Sequence, residues 1–201
     1  MCIRDSYVND AGRQIDILSA SVIMKMYESD NNFFPQNAYK GKYIEDLGKK
    51  ILEKDNFNLI IDKSILDSLS KDPEKEIDEI ISYLKKHCQE GWEAVKDFSI
   101  KSIIKDIKND LRSFNVEFNN WFYESSLGSL DDSKSEISVA INRLEENKQA
   151  YKKDGAIWLN TEDSGDDKHR VLVRDDGRAT YFASDVAYHT VSYTHLRAHE
   201  T

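Results

Sequence analysis

The sequence predicts a mixed α/β fold that carries a long helical insertion. Three observations lead there. Apolar residues recur at helical spacing through the central part of the chain. A segment rich in aromatic and branched residues follows that part from Phe114. Strand-like and helix-like segments alternate outside it, the pattern of an α/β domain rather than a helical bundle. At 201 residues, 39% of them hydrophobic, the chain is long enough for one good-sized core or two small ones.

The first strand is read at YVND, and the chain passes through Asn9, Asp10 and Gly12 into a helix whose Ile15, Leu18, Val22 and Met26 share a face. Asp10 is placed to accept from the free amides of the first turn. Pro35 and Gly41 interrupt the pattern before a second helix, with Tyr43, Leu47 and Ile51 on one face. From about Asn56 to Arg112 the pattern is nearly continuous helix. Pro73 suits a first helical position, and Glu74 and Glu76 complement the positive end of the dipole. Ile77, Ile80, Ile81 and Leu84 form the stripe, continued after Gly91 by Val95, Phe98, Ile103, Ile107 and Leu111. The charges between them read as a solvated face.

Strand chemistry resumes in FNVEFNNWFYESSL from Phe114, which is expected to rejoin a sheet. Ser133 and Glu136 stand at capping-box spacing before a helix with Ile137, Ile141 and Leu144 on one side. DGAIWLN and RVLVRDDGRATYF supply short strands, the second folding back through Asp176 and Gly177. The TEDSGDDKHR stretch between them reads as a polar, charged loop. The expected organisation is a strand and helix over 7–28, a mostly helical insertion over 29–112 and a return to the α/β part over 113–190. MCIRDS (1–6) and VSYTHLRAHET (191–201) resemble translated sequencing-adaptor sequence and are set aside.

Several function classes are disfavoured. No uninterrupted apolar run approaches the eighteen or so residues of a membrane span, and the N-terminus lacks a basic-then-apolar leader, so a cytoplasmic protein with no membrane partner is expected. Cys2 and Cys88 are too far apart in sequence to suggest a disulfide framework or a zinc site; His87 beside Cys88 reads as a surface pair. A net charge of -9 argues against non-specific coating of nucleic acid, and no DNA partner is expected, although a local basic groove remains compatible.

YFASDVAYH carries Tyr181 and Asp185 one helical turn apart. On the residues alone, two readings stand: a core aromatic with a helix cap, or a pair presented to a ligand.

YVNDAGRQIDILSASV, FPQNAYKGKYIEDLGKKI and DGAIWLNTEDSGDDKHRVLVRDDGRATYFASDVAYH, and more loosely NVEFNNWFYESSL, resemble the catalytic domain of arginyl-tRNA synthetase, a class I aminoacyl-tRNA synthetase, in that family's order. The resemblance implies an internal fragment of a Rossmann-like nucleotide-binding domain. It also implies L-arginine, ATP and tRNA as partners of the intact parent, with Mg2+ and ATP as its cofactors. Tyr181 and Asp185 match the tyrosine and aspartate that recognise the arginine side chain. A carboxylate suits that task, because the guanidinium is a planar fork whose donors it can accept in pairs. Tyr188 and His189 continue the family pattern. Asn9, Asp10 and Gly12 either line a ligand crevice at the end of the first strand or cap and tighten a turn. Glu124 reads as structural, and Lys168, His169 and Arg170 as either an acceptor-end contact or an exposed loop.

The family's histidine-and-glycine ATP motif and its mobile lysine loop are not found in this sequence. No catalytic residue is therefore assigned, no metal ligand is named, and the chain alone is expected not to activate arginine. The alternative expectation is a non-catalytic helical interaction module on a relic α/β scaffold.

Overall fold

The computed structural model describes residues 5–31, 33–54, 61–161 and 168–198. Both strands and helices are present, so the mixed α/β class holds. Contacts divide the chain into two compact units, Asp10–Asn119 and Met1–Asn9 with Asn120–Thr201.

The Asp10–Asn119 unit is helical: α1 (Arg13–Asn31), α2 (Lys42–Lys54), α3 (Lys63–Ser68), α4 (Pro73–His87) and α5 (Gln89–Ser113). Its centre is α1, which packs on α2, α4 and α5. Every residue from Ile17 to Met24 is buried, whereas Ile15 and Met26 are only half-buried. The single-face reading of α1 is thus too narrow, because a helix enclosed by neighbours is buried all round. Two serines make this possible without stranded hydroxyls. Ser19 Oγ donates to the Ile15 carbonyl at 2.9 Å and Ser21 Oγ to the Ile17 carbonyl at 2.6 Å.

On α2 the buried seats belong to Ile44, Leu47 and Ile51, while Tyr43 is 47% exposed. A spacing of three followed by one of four returns to within about 20° of the starting line on a helix, whereas two successive spacings of four drift by about 80°. That is why Ile44 displaces Tyr43.

The expected continuous helix over 56–112 is three helices; residues 55–60 lie outside the described residues. Pro73 does stand at the first position of α4, and Asp72 caps it, its carboxylate accepting from the amides of Glu74 at 2.9 Å and Lys75 at 3.4 Å. Replacing Asp72 with Ala is expected to lower stability by about 1 kcal/mol, read as a lower urea midpoint at unchanged slope. The Ile77, Ile80, Ile81 and Leu84 stripe is buried as expected. On α5 the core residues are Trp92, Val95 and Ser99. Beyond them the stripe surfaces, with Ile107 40% and Phe114 79% exposed. A helix of 25 residues is about 37 Å long and outruns the helices it packs on.

In the other unit, β1 (Asp5–Val8) pairs parallel with β2 (Asn120–Tyr123), placing Tyr7 opposite Phe122. Phe114–Asn119 is not strand, and Asn115 adopts a left-handed φ of 56° just beyond α5. A 3-10 turn (Glu124–Leu127) leads to α6 (Glu136–Glu146). The cap of α6 is Ser135 rather than Ser133: its Oγ accepts from the Ser138 amide at 3.2 Å. Ile137 and Ile141 are buried as read, joined by Ala140.

β3 (Ala150–Lys153), β4 (Ala156–Leu159) and β5 (Arg170–Val173) form an antiparallel sheet. The sequence reading missed β3. Its hairpin with β4 turns on Asp154 and Gly155, at φ of 50° and 78°, the doubly left-handed turn whose twist matches the strands. Asp176 and Gly177 also turn the chain, with the Arg174 amide donating to the Arg178 carbonyl at 2.9 Å, but only an isolated Val173–Ala179 bridge follows. Hydrogen bonds from the Arg178 side chain, then from its amide, hold Asp176 below the usual carboxylate range. The turn's contribution is therefore present above the ordinary carboxylate pKa and is lost as pH falls through the depressed value. An NMR titration of Asp176 should show its midpoint below that of a free aspartate and rising toward it in Arg178→Ala.

Candidate functional site

The site residues come from α7 (Tyr181–Ala198), whose side chains are described to Thr190. Thr180 sets its start. Its amide donates to the Leu172 carbonyl at 2.9 Å, and its hydroxyl lies 2.7 Å from the Val171 carbonyl and 3.2 Å from that of Leu172. Its own carbonyl accepts from the Ala183 amide at 3.0 Å, so one residue both ties the chain to β5 and opens the helix. Phe182, Ala183, Val186 and Ala187 then pack into the core made by Leu172, Val173, Ile137, Ala140 and Ile141.

With that face occupied, the residues four apart on the opposite side point outward. Tyr181 is 77% exposed, and Asp185 and His189 are exposed too. This exposure removes one of the two local readings of YFASDVAYH, the core aromatic with a helix cap. Tyr181 is not a core aromatic, and Asp185, a full turn inside the helix, is not its cap; Thr180 holds that position. Among the described residues the Asp185 carboxylate makes no hydrogen bond or ion pair. Tyr188 sits at the edge of this face, its ring 5.0 Å from that of Tyr7, 4.7 Å from that of Phe122 and 5.6 Å from that of His189. Edge and tilted contacts of this kind tie α7 to the β1–β2 pair.

The structure brings together Tyr181, Asp185, Tyr188 and His189. Asn9 is exposed at the end of β1, whereas Asp10 is buried. Asp10 and Gly12 belong to the helical unit, and Gly12, at φ 79°, takes the cap position of α1 by accepting from the amides of Ile15 at 3.1 Å and Asp16 at 3.3 Å. Glu124 is half-buried in the 3-10 turn. His169 packs its ring edge-on to Tyr151 at 5.5 Å, and the Lys168 carbonyl accepts from Thr161 Oγ1 at 2.9 Å. Most of the TEDSGDDKHR loop lies outside the described residues.

Neither ATP nor Mg2+ finds a matching set of groups among the described residues. In the helical unit the approach to α1 offers a buried acid at Asp10, and Arg13, whose guanidinium is engaged by Glu74 at 2.7 Å and Asp78 at 2.9 Å. Among the described residues no three His, Cys, Asp or Glu side chains gather for a metal.

The sequence reading missed one feature in the helical unit. A cavity of about 280 Å3 is lined by Lys25, Phe34, Tyr39, Lys40, Gly41 and Ile44. Its sequence signal was the alternation of aromatic and basic residues in YKGKY.

No family model matches the chain. Similarity to whole proteins is far stronger. The chain is 44% identical over 194 residues to the arginine--tRNA ligase of Vesicomyosocius okutanii and 38% identical over 208 residues to that of Acinetobacter baumannii, covering 91% and 92% of its own length. The chain belongs to the arginyl-tRNA synthetase family. It spans about a third of those relatives, 32% and 34% of their lengths. A solved structure from Campylobacter jejuni, described as an arginyl-tRNA synthetase, superposes with a TM-score of 0.69 at 28% identity, over 94% of this chain and 36% of that one. The fold of this arginyl-tRNA synthetase segment is thus similar to that of this neighbour over nearly its whole length. Among the described residues no helix is long and apolar enough to cross a membrane.

Proposed function

We propose that this segment is the part of an arginine--tRNA ligase that selects the amino acid, with Asp185 receiving the guanidinium of L-arginine and Tyr181 walling and orienting it. The whole enzyme would use ATP, with magnesium, to form arginyl-adenylate and pass arginine to its tRNA; none of the described residues is assigned a step with either cofactor.

The observation that carries this reading is the presentation of Asp185. It stands exposed, one turn from Tyr181, on a helix fixed to β5 by Thr180, with no partner among the described residues to satisfy its carboxylate. A rigidly held, unpaired carboxylate beside an aromatic ring is what a flat, five-donor cation requires. Ammonium and neutral amide side chains cannot match that fork, so the same pair would discriminate against lysine and citrulline. Tyr188, packed against both Tyr7 and Phe122, would hold the helix in place, and His189 continues the exposed face one turn further on. The parallel pairing of β1 with β2, separated in sequence by the helical unit, supports the further proposal that these are two strands of a Rossmann-like class I sheet, since parallel neighbours require a long crossover.

The test is Asp185→Asn in the full-length ligase carrying this segment, with binding of arginine, lysine and citrulline compared by calorimetry. An unchanged preference for arginine would remove the assignment.

A further inference from the structure

An irregularity in β5 explains how Thr180 is held. In the β4–β5 ladder Ile157 pairs with Val173, but its neighbour Trp158 pairs with Val171, so Leu172 is an extra residue on β5, a β-bulge. In a regular strand successive carbonyls point to opposite edges, and one hydroxyl cannot reach two in a row. At the bulge it does. Thr180 Oγ1 stands 2.7 Å from the Val171 oxygen and 3.2 Å from the Leu172 oxygen, its single proton shared between them. The Leu172 oxygen also receives the Thr180 amide at 2.9 Å, beside the bridge in which Val173 meets Ala179. The bulge therefore brings the Val171 carbonyl round to the side of its neighbour's, where the residue that opens α7 can take both.

From that point the helix has little freedom. The Thr180 carbonyl accepts from the amides of Ala183 at 3.0 Å and Ser184 at 3.5 Å. Ala183 and Ala187, both 0% exposed, lie in the core with Ile137, Ala140 and Ile141. Tyr181 follows the tether directly and Asp185 comes one turn later. A slip of one residue at the helix start would turn the exposed face by about 100° and bring Ser184 or Val186 to the place of Asp185. Main-chain hydrogen bonds do not bar such a slip, because any residue supplies an amide. The hydroxyl belongs to Thr180 alone in the turn that opens the helix, and so it sets the register.

We propose that Thr180 is a positioning residue for arginine selection, its hydroxyl seated on the Leu172 bulge to hold α7 in the register that presents Tyr181 and Asp185. This role rests on the reading of Asp185 as the guanidinium acceptor. Thr180 acts through that carboxylate, not on the substrate: it keeps the binding-competent helix start populated, and apparent affinity falls with the fraction of molecules that leave it.

The experiment has two arms. In the 201-residue chain, amide hydrogen exchange at Ala183 and Ser184 is compared between wild type, Thr180→Val and Thr180→Ser. Valine keeps the shape and loses the hydroxyl, so exchange at both amides is expected to quicken about fivefold, with serine returning it to the wild-type rate. In the full-length ligase carrying this segment, Thr180→Val is expected to raise the KM for arginine about fivefold with kcat and the KM for ATP unchanged, and Thr180→Ser to restore it. Asp72→Ala removes a helix cap from the helical unit and should lower the urea midpoint without moving the arginine KM. Lost stability alone reduces the amount of active enzyme, and with it kcat, rather than raising the KM of one substrate.

Unchanged exchange at Ala183 and Ser184 in Thr180→Val overturns the role of Thr180. So does an arginine KM that stays at the wild-type value in Thr180→Val, stays raised in Thr180→Ser, or rises as much in Asp72→Ala; a fall in kcat without a change in KM overturns it too. Asp185→Asn, measured alongside, separates the two assignments. If it weakens arginine while Thr180→Val does not, the pocket remains and the tether is lost. If Thr180→Val quickens exchange and raises the KM while Asp185→Asn changes nothing, the tether remains and the assignment of Asp185 is lost.

Discussion

Asp185→Asn is expected to lower arginine affinity ten- to a hundredfold while leaving the fold intact. The carboxylate is exposed and makes no hydrogen bond or ion pair among the described residues, so its removal breaks no contact within the chain. Surface changes of this kind shift stability by no more than about 0.5 kcal/mol. Binding differs, because a hydrogen bond to a charged group contributes about 1.5 to 3 kcal/mol net, one to two powers of ten in affinity. Discrimination should collapse with it. An asparagine offers one acceptor and a donor that opposes the guanidinium, so citrulline, which carries a neutral urea head, should approach arginine in affinity. Tyr181→Phe should have a smaller effect, since the ring persists and only the hydroxyl is lost. Calorimetry with arginine and citrulline on the full-length ligase checks both; equal arginine affinity in wild type and Asp185→Asn would exclude this residue from the pocket.

The largest effect on stability is expected at Trp92. Its side chain is 2% exposed within the core of the helical unit, and the Lys85 ammonium lies 5.5 Å from its ring. Trp92→Ala empties that volume and is expected to cost about 3 to 5 kcal/mol, a large part of the roughly 5 to 15 kcal/mol by which typical proteins are stable. Trp92→Phe should cost far less. It retains most of the apolar contact and removes a buried indole N–H that has no hydrogen-bond partner among the described residues. Phe114→Ala, at a residue 79% exposed, should hardly register. Urea unfolding followed by circular dichroism at a helical wavelength reports all three. Equal midpoints for Trp92→Ala and Phe114→Ala would mean that the core is not seated on Trp92.

The elements most legible in the sequence are those governed by their own neighbours. Pro73 with Asp72 before it, and the Ile77, Ile80, Ile81 and Leu84 stripe after it, specify α4 through capping, a fixed φ and side-chain periodicity. Where two local solutions were close in energy, the sequence could not choose between them. Ser133 and Ser135 are both competent caps, and the chain uses the one whose hydroxyl also donates to the Ser129 carbonyl, at 2.7 Å. Tyr43 and Ile44 lie about 100° apart on α2, and the seat facing α1 falls to Ile44.

The same division runs through the candidate site. The four-residue spacing of Tyr181 and Asp185 is enough by itself to put them on one helical face. Which way that face points was settled by residues elsewhere in the chain: the β5 carbonyls that bind Thr180, and the Ile137, Ala140 and Ile141 surface of α6 that takes the opposite side. The grouping of Phe34 and Tyr39 with Lys25 likewise needed α1 and the segment before α2 to meet. Periodicity, caps and turns act over a few residues and can be read along the chain. Burial, exposure and the parallel partner of β1 depend on surfaces brought together from distant segments, and only tertiary packing supplies those.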